Sequence, residues 1–345
     1  MRNCTVHWPF VPHALTPATR LGTSTSANCT IGGSMRVKTW RNRLNVIAIL
    51  LLPLLVFTLL SCNNEPEVRG PKFGTKSPFQ DVTVYHFAVH PLHNPAKLTQ
   101  AYQPLIDYLN SHLTGVRLSL EASRDYANFE EKYRARAPEF ILPNPWQTLQ
   151  AMKVGYRVIA TAGEPQDFRG IFIARKDGGV LRPFDLKGKA VSYPSPTALA
   201  ACIMPQYFLH DSGLNVKTDI ENKYVGSQES SIMNVVLGLT AVGATWPPPW
   251  RAFQKDHPKE AAELKIIWET PSLINNSVMV RNDIPARLVD DVRTLLLKLH
   301  GTAQGDSILA DMETARFLPA SDQDYDLVRR YVANFEKEVR MVETK

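Results

Sequence analysis

Residues 192–201 read SYPSPTALAA, and they predict a strand that ends at Tyr193, a tight turn, and a helix over 197–210. Ser195 is a favourable N-cap, because its hydroxyl can accept a hydrogen bond from a free backbone N–H of the first turn. Pro196 suits the first helical position, where the N–H needs no partner. A capped helix start at a strand end favours an anion. An ordinary capped helix in an α/β sheet explains the same residues.

The segments around this motif alternate between strand and helix patterns. Residues 82–89 alternate and contain β-branched side chains, which predicts a strand. Apolar residues at helical spacing over 96–113 predict the next helix, and 116–121 predicts a second strand. A similar unit begins near residue 190. This order is typical of parallel sheets with crossover helices.

The predicted elements form two groups, followed by a mainly helical segment after residue 281. We therefore predict an α/β fold of two lobes, each a mostly parallel sheet with flanking helices. Lobe one is discontinuous and comprises 81–174 plus 275–345, whereas lobe two comprises 175–274. A ligand would lie between the lobes, at the carboxyl ends of the strands.

The charge of the chain is concentrated at its front. The 345 residues carry a formal net charge of +6 at pH 7. The first 61 residues contain six basic side chains and no acidic one. Removing those six from the 39 basic residues leaves 33, which equals the number of acidic residues. The remaining chain is neutral, so its composition does not support a surface for nucleic acid or another polyanion.

The front of the chain has the pattern of a secretory signal. Basic residues precede the apolar segment 44–60, which Pro53 interrupts and which is short for a membrane span. The ending Leu-x-Ser-Cys at Cys62 resembles a bacterial lipobox, which implies cleavage before Cys62 and lipid on that residue. We expect residues 1–61 to be an N-terminal extension and signal peptide, with Met35 as an alternative start, and 62–80 to be the lipidated cysteine and a tether. An uncleaved membrane anchor is the alternative.

Cys202 is the only cysteine after Cys62 in the sequence. It therefore has no partner for an internal disulfide or for a thiolate metal cluster in that part of the chain. Its position on the predicted helix favours a buried apolar role over a nucleophilic one, because we identify no matching His and Asn.

The sequence predicts no metal, no cofactor and no catalytic residue. His86, His90 and His93 are close in sequence, but no second cluster of ligands accompanies them. The Gly-x-Ser-x-Gly, His-Glu-x-x-His and P-loop patterns are absent. Glu130 falls on a charged helix face, where side chains are usually solvated. We therefore favour a binding protein over an enzyme, with His93 as a candidate to border the pocket.

Two further features are candidates for ligand contact. Trp246 and Trp250 flank three prolines, which predicts a rigid turn whose rings either hold a cation or pack at a lobe edge. Gln228 and the neighbouring serines precede a predicted helix, where they can donate to an anion or cap the helix.

Four motifs in order resemble the phosphate/phosphite/phosphonate-binding subunits of ABC importers over roughly residues 80–340. The first is YQPLxxYL, and the others are DYA, PNPW and DLKGK, which begin at Tyr102, Asp125, Pro143 and Asp185. The resemblance implies a type II periplasmic-binding-protein fold, with two lobes on a hinge and an oxyanion in the cleft.

The resemblance also implies which residues line the cleft. In this chain the corresponding positions are Tyr126, Asn144, Trp146, Ser195, Thr197 and Gln228, and His93 and Trp246 are secondary candidates. Two positions depart from the family pattern. Ala198, Leu199 and Ala200 replace hydroxyl-bearing residues of the phosphonate binders, and Ser227-Gln228-Glu229 replaces Ser-His-Asp.

We therefore expect a lipid-anchored substrate-binding protein of an ABC importer in the cell envelope, facing the periplasm or the outer side of the cytoplasmic membrane. Its expected partners are a small oxyanion and the membrane permease, with no nucleic acid. Two alternatives are a sensory binding protein on the same fold and a thiamine-precursor-type enzyme, which would need a reactive cysteine or histidine in the cleft.

Overall fold

The computed structural model of the protein describes residues 82–342. The predicted signal segment 1–61, the lipidation site Cys62 and the tether to residue 80 lie outside these residues. The described chain contains a six-stranded and a five-stranded sheet with flanking helices, so the predicted two-lobed α/β fold is confirmed. None of its helices combines the length and the apolar character needed to cross a membrane.

The first sheet belongs to lobe one and has the strand order β11-β4-β10-β3-β1-β2. Its strands are β1 (Thr83–Val89), β2 (Val116–Glu121), β3 (Phe140–Leu142), β4 (Tyr156–Ala162), β10 (Asn276–Arg281) and β11 (Phe317–Leu318). The second sheet belongs to lobe two and has the order β7-β6-β8-β5-β9. Its strands are β5 (Ile171–Arg175), β6 (Ala190–Tyr193), β7 (Glu221–Tyr224), β8 (Val242–Thr245) and β9 (Leu264–Glu269).

Both sheets are mixed, although the sequence predicted mostly parallel ones. Strands β1, β2 and β3 pair in parallel, as do β6, β7 and β8. Strand β10 runs antiparallel to β3 and β4, and β5 runs antiparallel to β8 and β9. The difference arises because β5 and β10 are the first strands after the chain crosses between lobes, and each inserts inside a sheet.

The helices in chain order are α1 (Pro95–His112), α2 (Tyr126–Arg134), α3 (Pro145–Lys153), α4 (Met204–Asp211), α5 (Gln228–Val236), α6 (Pro247–Asp256), α7 (Pro258–Ala262), α8 (Ala286–Leu297), α9 (Ala303–Asp311) and α10 (Asp326–Glu338). Helix α1 begins with an Asn94 cap whose side chain accepts from the Lys97 N–H, and it packs on β2. Helix α3 packs on β4 and β10, whereas α5 packs on β5, β6 and β8.

The chain crosses between the sheets earlier than the sequence predicted. Strand β5 lies wholly in the second sheet, so the boundary at residue 174 is wrong for this strand, and the crossing falls between β4 and β5. The return crossing lies between β9 and β10. The two crossing segments bond to each other, because the backbones of Gly170 and Thr270 pair at 2.9 Å and the Leu273 N–H donates to the Phe168 carbonyl at 2.9 Å.

The helix after β6 also begins later than predicted. Ser195 does not cap it, because the chain first forms a turn in which the Ala198 N–H donates to the Ser195 carbonyl at 3.2 Å. A π-helical turn then spans Leu199–Ile203 and continues into α4. Similarly, the three prolines after Trp246 form the first turn of α6 and not a separate rigid turn, because proline is tolerated where no N–H partner is needed.

Candidate functional site

A small cavity lies between the two lobes, at the starts of five helical segments. Tyr126 is the first residue of α2 and Gln228 the first of α5, while Asn144 and Trp246 are the N-caps of α3 and α6. The fifth start is the π-helical turn, of which Leu199, Ala200 and Ala201 line the cavity. The site is therefore built from helix N-termini of both lobes.

The electrostatics of this cavity favour an anion, although none of the described residues that line it is Lys, Arg, Asp or Glu. Each helix carries a partial positive charge at its N-terminus, where the first N–H groups lack acceptors inside the helix. These groups can bind an anion by hydrogen bonding. The remaining lining residues are polar and neutral or apolar: His90, Phe168, Ala198 and Asn276.

Tyr126 and Gln228 join the lobes across this cavity. The Gln228 Nε2 donates to the Tyr126 hydroxyl at 3.0 Å, and the Gln228 Oε1 accepts from the Thr245 hydroxyl at 2.9 Å. Burial raises the pKa of Tyr126, so its hydroxyl stays protonated and its hydrogen remains available to an acceptor. The structure thus brings together two residues that were predicted to bind the ligand.

Asn144 makes a second link between the lobes. Its Oδ1 accepts from the backbone N–H groups of Trp146 at 2.9 Å and Gln147 at 3.1 Å, which caps α3. Its Nδ2 donates to the Thr197 carbonyl in lobe two at 3.2 Å. Asn144 lines the cavity, whereas Trp146 is buried beside it and its Nε1 has no partner among the described residues.

Ser195 and Thr197 lie next to the cavity but are not among its lining residues. Their hydroxyls are 3.0 Å apart, and the Thr197 hydroxyl donates to the Glu130 carboxylate at 2.7 Å. Contrary to the sequence prediction of a solvated side chain, Glu130 is buried at 2% exposure. It also accepts from Gln147 at 3.3 Å and pairs with Arg134 at 2.9 Å. Burial raises the pKa of Glu130, and the hydrogen bond from Thr197 opposes that shift.

The two secondary candidates occupy different positions. Trp246 packs on Phe168 with ring centroids 5.5 Å apart and lines the cavity. His93 lines a neighbouring cavity, which shares Trp246 and Asn276 with the first. Trp250 stacks on Phe253 in a separate apolar cluster, so the two tryptophans act in packing and do not form one aromatic box.

His90, Phe168, Ala201 and Asn276 line the cavity although the sequence did not predict them as ligand contacts. His90 follows β1, and Asn276 begins β10. The position of His90 at the carboxyl end of a parallel strand was a usable signal, because ligands of open α/β sheets bind there. Phe168 lies in the first crossing and Asn276 at the start of the strand that follows the second, and the positions of both depend on the tertiary fold and not on a local pattern.

Cys202 lies in the π-helical turn and is fully buried with a free thiol, which confirms its predicted burial. Burial raises the pKa of Cys202 to about 11, although Arg340 lies 3.5 Å from its sulfur. Because the thiolate is the reactive form of cysteine, this residue is a poor nucleophile at neutral pH.

Comparisons with known proteins place these features in context. A family model described as "ABC transporter, phosphonate, periplasmic substrate-binding protein" matches residues 87–325. A curated relative, the probable ABC transporter phosphite binding protein PhnD1 of Prochlorococcus marinus strain MIT 9301, is 24% identical over 181 residues. The match covers 49% of this chain and 61% of that protein, so the chain spans about three fifths of the relative's length.

Two solved structures share the fold. One is a binding protein component of an ABC phosphonate transporter from Pseudomonas aeruginosa, with a TM-score of 0.69, 16% identity and coverage of 75% of this chain and 88% of that one. The other is PhnD1 from Prochlorococcus marinus MIT 9301 in complex with methylphosphonate, with a TM-score of 0.67, 19% identity and coverage of 74% and 99%. At this identity the likeness concerns the fold, because one fold can carry many functions.

Proposed function

The chain belongs to the family of phosphonate-type periplasmic substrate-binding proteins of ABC transporters, and from this membership we propose that it binds a small phosphorus oxyanion between its lobes. One observation carries the proposal: five helical segments begin at an interlobe cavity whose described lining residues carry no Lys, Arg, Asp or Glu side chain. An anion there gains hydrogen bonds and a favourable field without a buried counter-charge.

The ligands of related proteins narrow the choice. The fold neighbour from Prochlorococcus marinus is in complex with methylphosphonate, and the curated relative is named as a probable phosphite binding protein. The cavity is bounded by the apolar side chains of Phe168, Trp246 and Leu199, which leaves room only for a small ligand. We propose methylphosphonate, phosphite or phosphate as the ligand class of this chain.

Ligand binding is proposed to act by closure of the lobes. Tyr126, Glu130 and Asn144 of lobe one bond to Gln228 and Thr197 of lobe two, which supports a closed arrangement of the lobes. A ligand that contacts both lobes binds the closed form better than the open one and shifts the population towards it. The membrane permease would recognise the closed form. No covalent bond of the ligand would break, and the poor nucleophilicity of Cys202 agrees with this.

The cellular location is part of the proposal. The family is periplasmic by its description, and we propose that lipid on Cys62 anchors the protein to the membrane. Mass spectrometry of protein purified from the membrane fraction tests this: we expect a lipidated peptide that begins at Cys62. The substitution Cys62→Ser should abolish the lipid and release the protein from the membrane. An unmodified Cys62 in the membrane-bound protein would contradict the anchor.

Calorimetry and thermal unfolding test the ligand class. The purified protein is titrated with methylphosphonate, phosphite, phosphate and sulfate. A ligand present at one hundred times its Kd should stabilise the protein by about 2.7 kcal/mol, which corresponds to a rise in Tm of several degrees. If no phosphorus oxyanion produces either binding heat or a shift in Tm, the proposed function is contradicted.

A matched pair of variants tests the site. Tyr126→Phe removes a hydroxyl from the cavity and should weaken binding about tenfold, since one hydrogen bond to a charged ligand is lost. Tyr108→Phe changes a partly buried tyrosine on α1 and should bind as the wild type does. Equal affinities of the two variants would show that the ligand lies elsewhere.

A further inference from the structure

The lobe-one wall of the cavity contains a buried amide with no partner. Asn276 is 3% exposed and lines the cavity, yet its Oδ1 has no hydrogen-bond partner among the described residues. Its backbone is fully engaged, since its N–H donates to the Asn275 Oδ1 at 2.8 Å and its carbonyl accepts from the Thr161 hydroxyl at 3.0 Å. A buried carbonyl oxygen without a partner is unfavourable, so this atom favours a ligand that donates a hydrogen.

His90 offers a second acceptor on the same wall. Its Nδ1 lies 2.8 Å from the Leu142 carbonyl oxygen, which can only accept, so the ring hydrogen resides on Nδ1. Nε2 is then the unprotonated nitrogen, and it is the ring nitrogen available to a ligand in the cavity that His90 lines. Burial lowers the pKa of His90 to about 4, and His93 adds to this effect. The imidazole therefore remains a neutral acceptor at neutral pH.

The opposite wall of the cavity presents hydrogen-bond donors. It is formed in lobe two by Ala198, Leu199, Ala200 and Ala201 at the start of the π-helical turn. The first N–H groups of a helix have no acceptor inside it, so this wall presents donors. A ligand that spans the cavity thus meets the N–H donors of lobe two on one side and the two acceptors at His90 and Asn276 of lobe one on the other.

We infer that the Nε2 of His90 and the Oδ1 of Asn276 share the single hydroxyl hydrogen of a singly protonated oxyanion, and that this pair makes the site select anions that keep a proton over anions that have none. The inference rests on the proposed function and specifies which form of the phosphorus oxyanion is bound. The unprotonated oxygens face the N–H groups of lobe two, and the P–OH group faces lobe one.

The expected selectivity follows from the cost of unpaired acceptors. Methylphosphonate with one proton and methanesulfonate have nearly the same shape and the same single negative charge, but only the phosphonate has a hydroxyl. The sulfonate leaves both acceptors buried without a donor and brings an oxygen against them. Sites built to bond a ligand hydroxyl discriminate strongly against analogues that lack it.

Calorimetric titration of the wild-type protein with these two anions is the primary test. In mildly acidic buffer, above the pKa of His90, methylphosphonate carries a single charge and one proton. We expect it to bind at least tenfold more tightly than methanesulfonate. Comparable affinities for both anions would overturn the inference and leave the proposed function intact. If neither anion binds, and phosphite and phosphate do not bind either, the proposed function itself is contradicted.

Two variants assign the selectivity to the named residues. In His90→Asn the amide nitrogen can still donate to the Leu142 carbonyl, but the acceptor at Nε2 is gone. Asn276→Leu removes the other acceptor at similar size. Each should lower the preference for methylphosphonate about tenfold, by weakening phosphonate binding more than sulfonate binding.

The control variant is His86→Asn, the same substitution at a histidine whose side chain is 51% exposed on β1. It should keep the wild-type preference. If His90→Asn and Asn276→Leu are folded by thermal unfolding and keep that preference as well, the assignment to these residues is wrong. If one variant fails to fold, the other variant and the ratio of the two affinities in the wild-type protein still test the inference.

Discussion

His90 and His93 are the buried imidazoles of the cleft region, with exposures of 2% and 9%. Burial is the main cause that lowers the pKa of each from 6.5 to about 4. For His93, the charge of Lys97 adds to the decrease, while Glu229, Asp256 and Glu313 oppose it. Both rings are therefore neutral in the folded protein under conditions where an unfolded chain would protonate them.

The protein should consequently lose stability in mild acid. Between about pH 6.5 and pH 4 the unfolded chain binds more protons than the folded one, so the free energy of unfolding falls as the pH falls through this window. Each histidine can contribute at most about 3 kcal/mol to this loss. Urea unfolding of the wild type at pH 7 and near pH 4.5 measures the effect.

The double variant His90→Asn, His93→Gln provides the comparison. Its stability at pH 7 is not the readout, because both substitutions alter packing. Its loss of stability between the two pH values should be smaller than that of the wild type. An equal loss in both proteins would mean that other groups cause the acid sensitivity.

At the residue level, the sequence located part of the site. Tyr126 and Asn144 were predicted from the family resemblance, and Gln228 also from its position before a helix; in the structure each begins or caps a helix that follows a strand and lines the cavity. The roles of Ser195 and Thr197 could not be read in the same way. Their hydroxyls point into a network with Glu130, and a buried carboxylate in a charged sequence segment gives no local signal.

At the level of elements, the connection after β4 is constrained by a glycine. Gly163 has a φ of +99°, in the region that favours glycine, and its N–H donates to the Arg316 carbonyl at 2.8 Å. A Cβ at this position would lie 2.6 Å from the Asn275 Nδ2, an atom that donates to the Glu164 carbonyl at 3.0 Å. The two crossings between the lobes therefore meet too closely here for any side chain.

Gly163→Ala should lower the free energy of unfolding by about 1–3 kcal/mol, because the substitution adds both backbone strain and a close contact. Gly179→Ala is the matched control, since Gly179 is exposed and a Cβ there meets nothing within 4 Å. It should change stability by no more than about 0.5 kcal/mol. Urea unfolding measures both, and similar values for the two variants would refute the constraint.

The same crossings explain which elements the sequence could not assign. The apolar residues of 171–175 predict a strand, but they do not indicate to which lobe this strand belongs. Strand β5 pairs with β8 and β9, which follow it by many residues, so only the tertiary pairing decides its sheet. The sequence does not predict the π-helical turn either. The turn at Ser195–Ala198 makes the helix begin later, and no residue type in this segment indicates the later start.

At the level of the whole molecule, ion pairs connect the lobes at the rim of the cleft. Arg251 on α6 of lobe two pairs with Glu313 at 2.9 Å and with Asp167 at 3.3 Å. Lys255 also pairs with Glu313, and Asp256 pairs with Lys97 of lobe one. Glu313 is the centre of this group, and its side chain is only 11% exposed. These contacts stabilise the closed arrangement.

Glu313→Gln should therefore favour the open arrangement. A partly exposed pair contributes at most about 1 kcal/mol, so we expect ligand affinity to fall severalfold and the ligand-free radius of gyration in small-angle X-ray scattering to increase. Asp311→Asn changes an exposed acid at the end of α9 and serves as the control. If both variants have the same radius of gyration and the same ligand affinity, the ion pairs at the rim do not govern closure.

The central claim is that a phosphorus oxyanion lies between the lobes at the converging helix starts. A crystal structure of the protein grown with methylphosphonate tests it most directly. The account predicts closed lobes, with the anion about 2.7–3.1 Å from backbone nitrogens of residues 199–201 and from the Tyr126 hydroxyl. A phosphonate bound outside this cavity, or closed lobes without phosphonate between them at a saturating concentration, would contradict it.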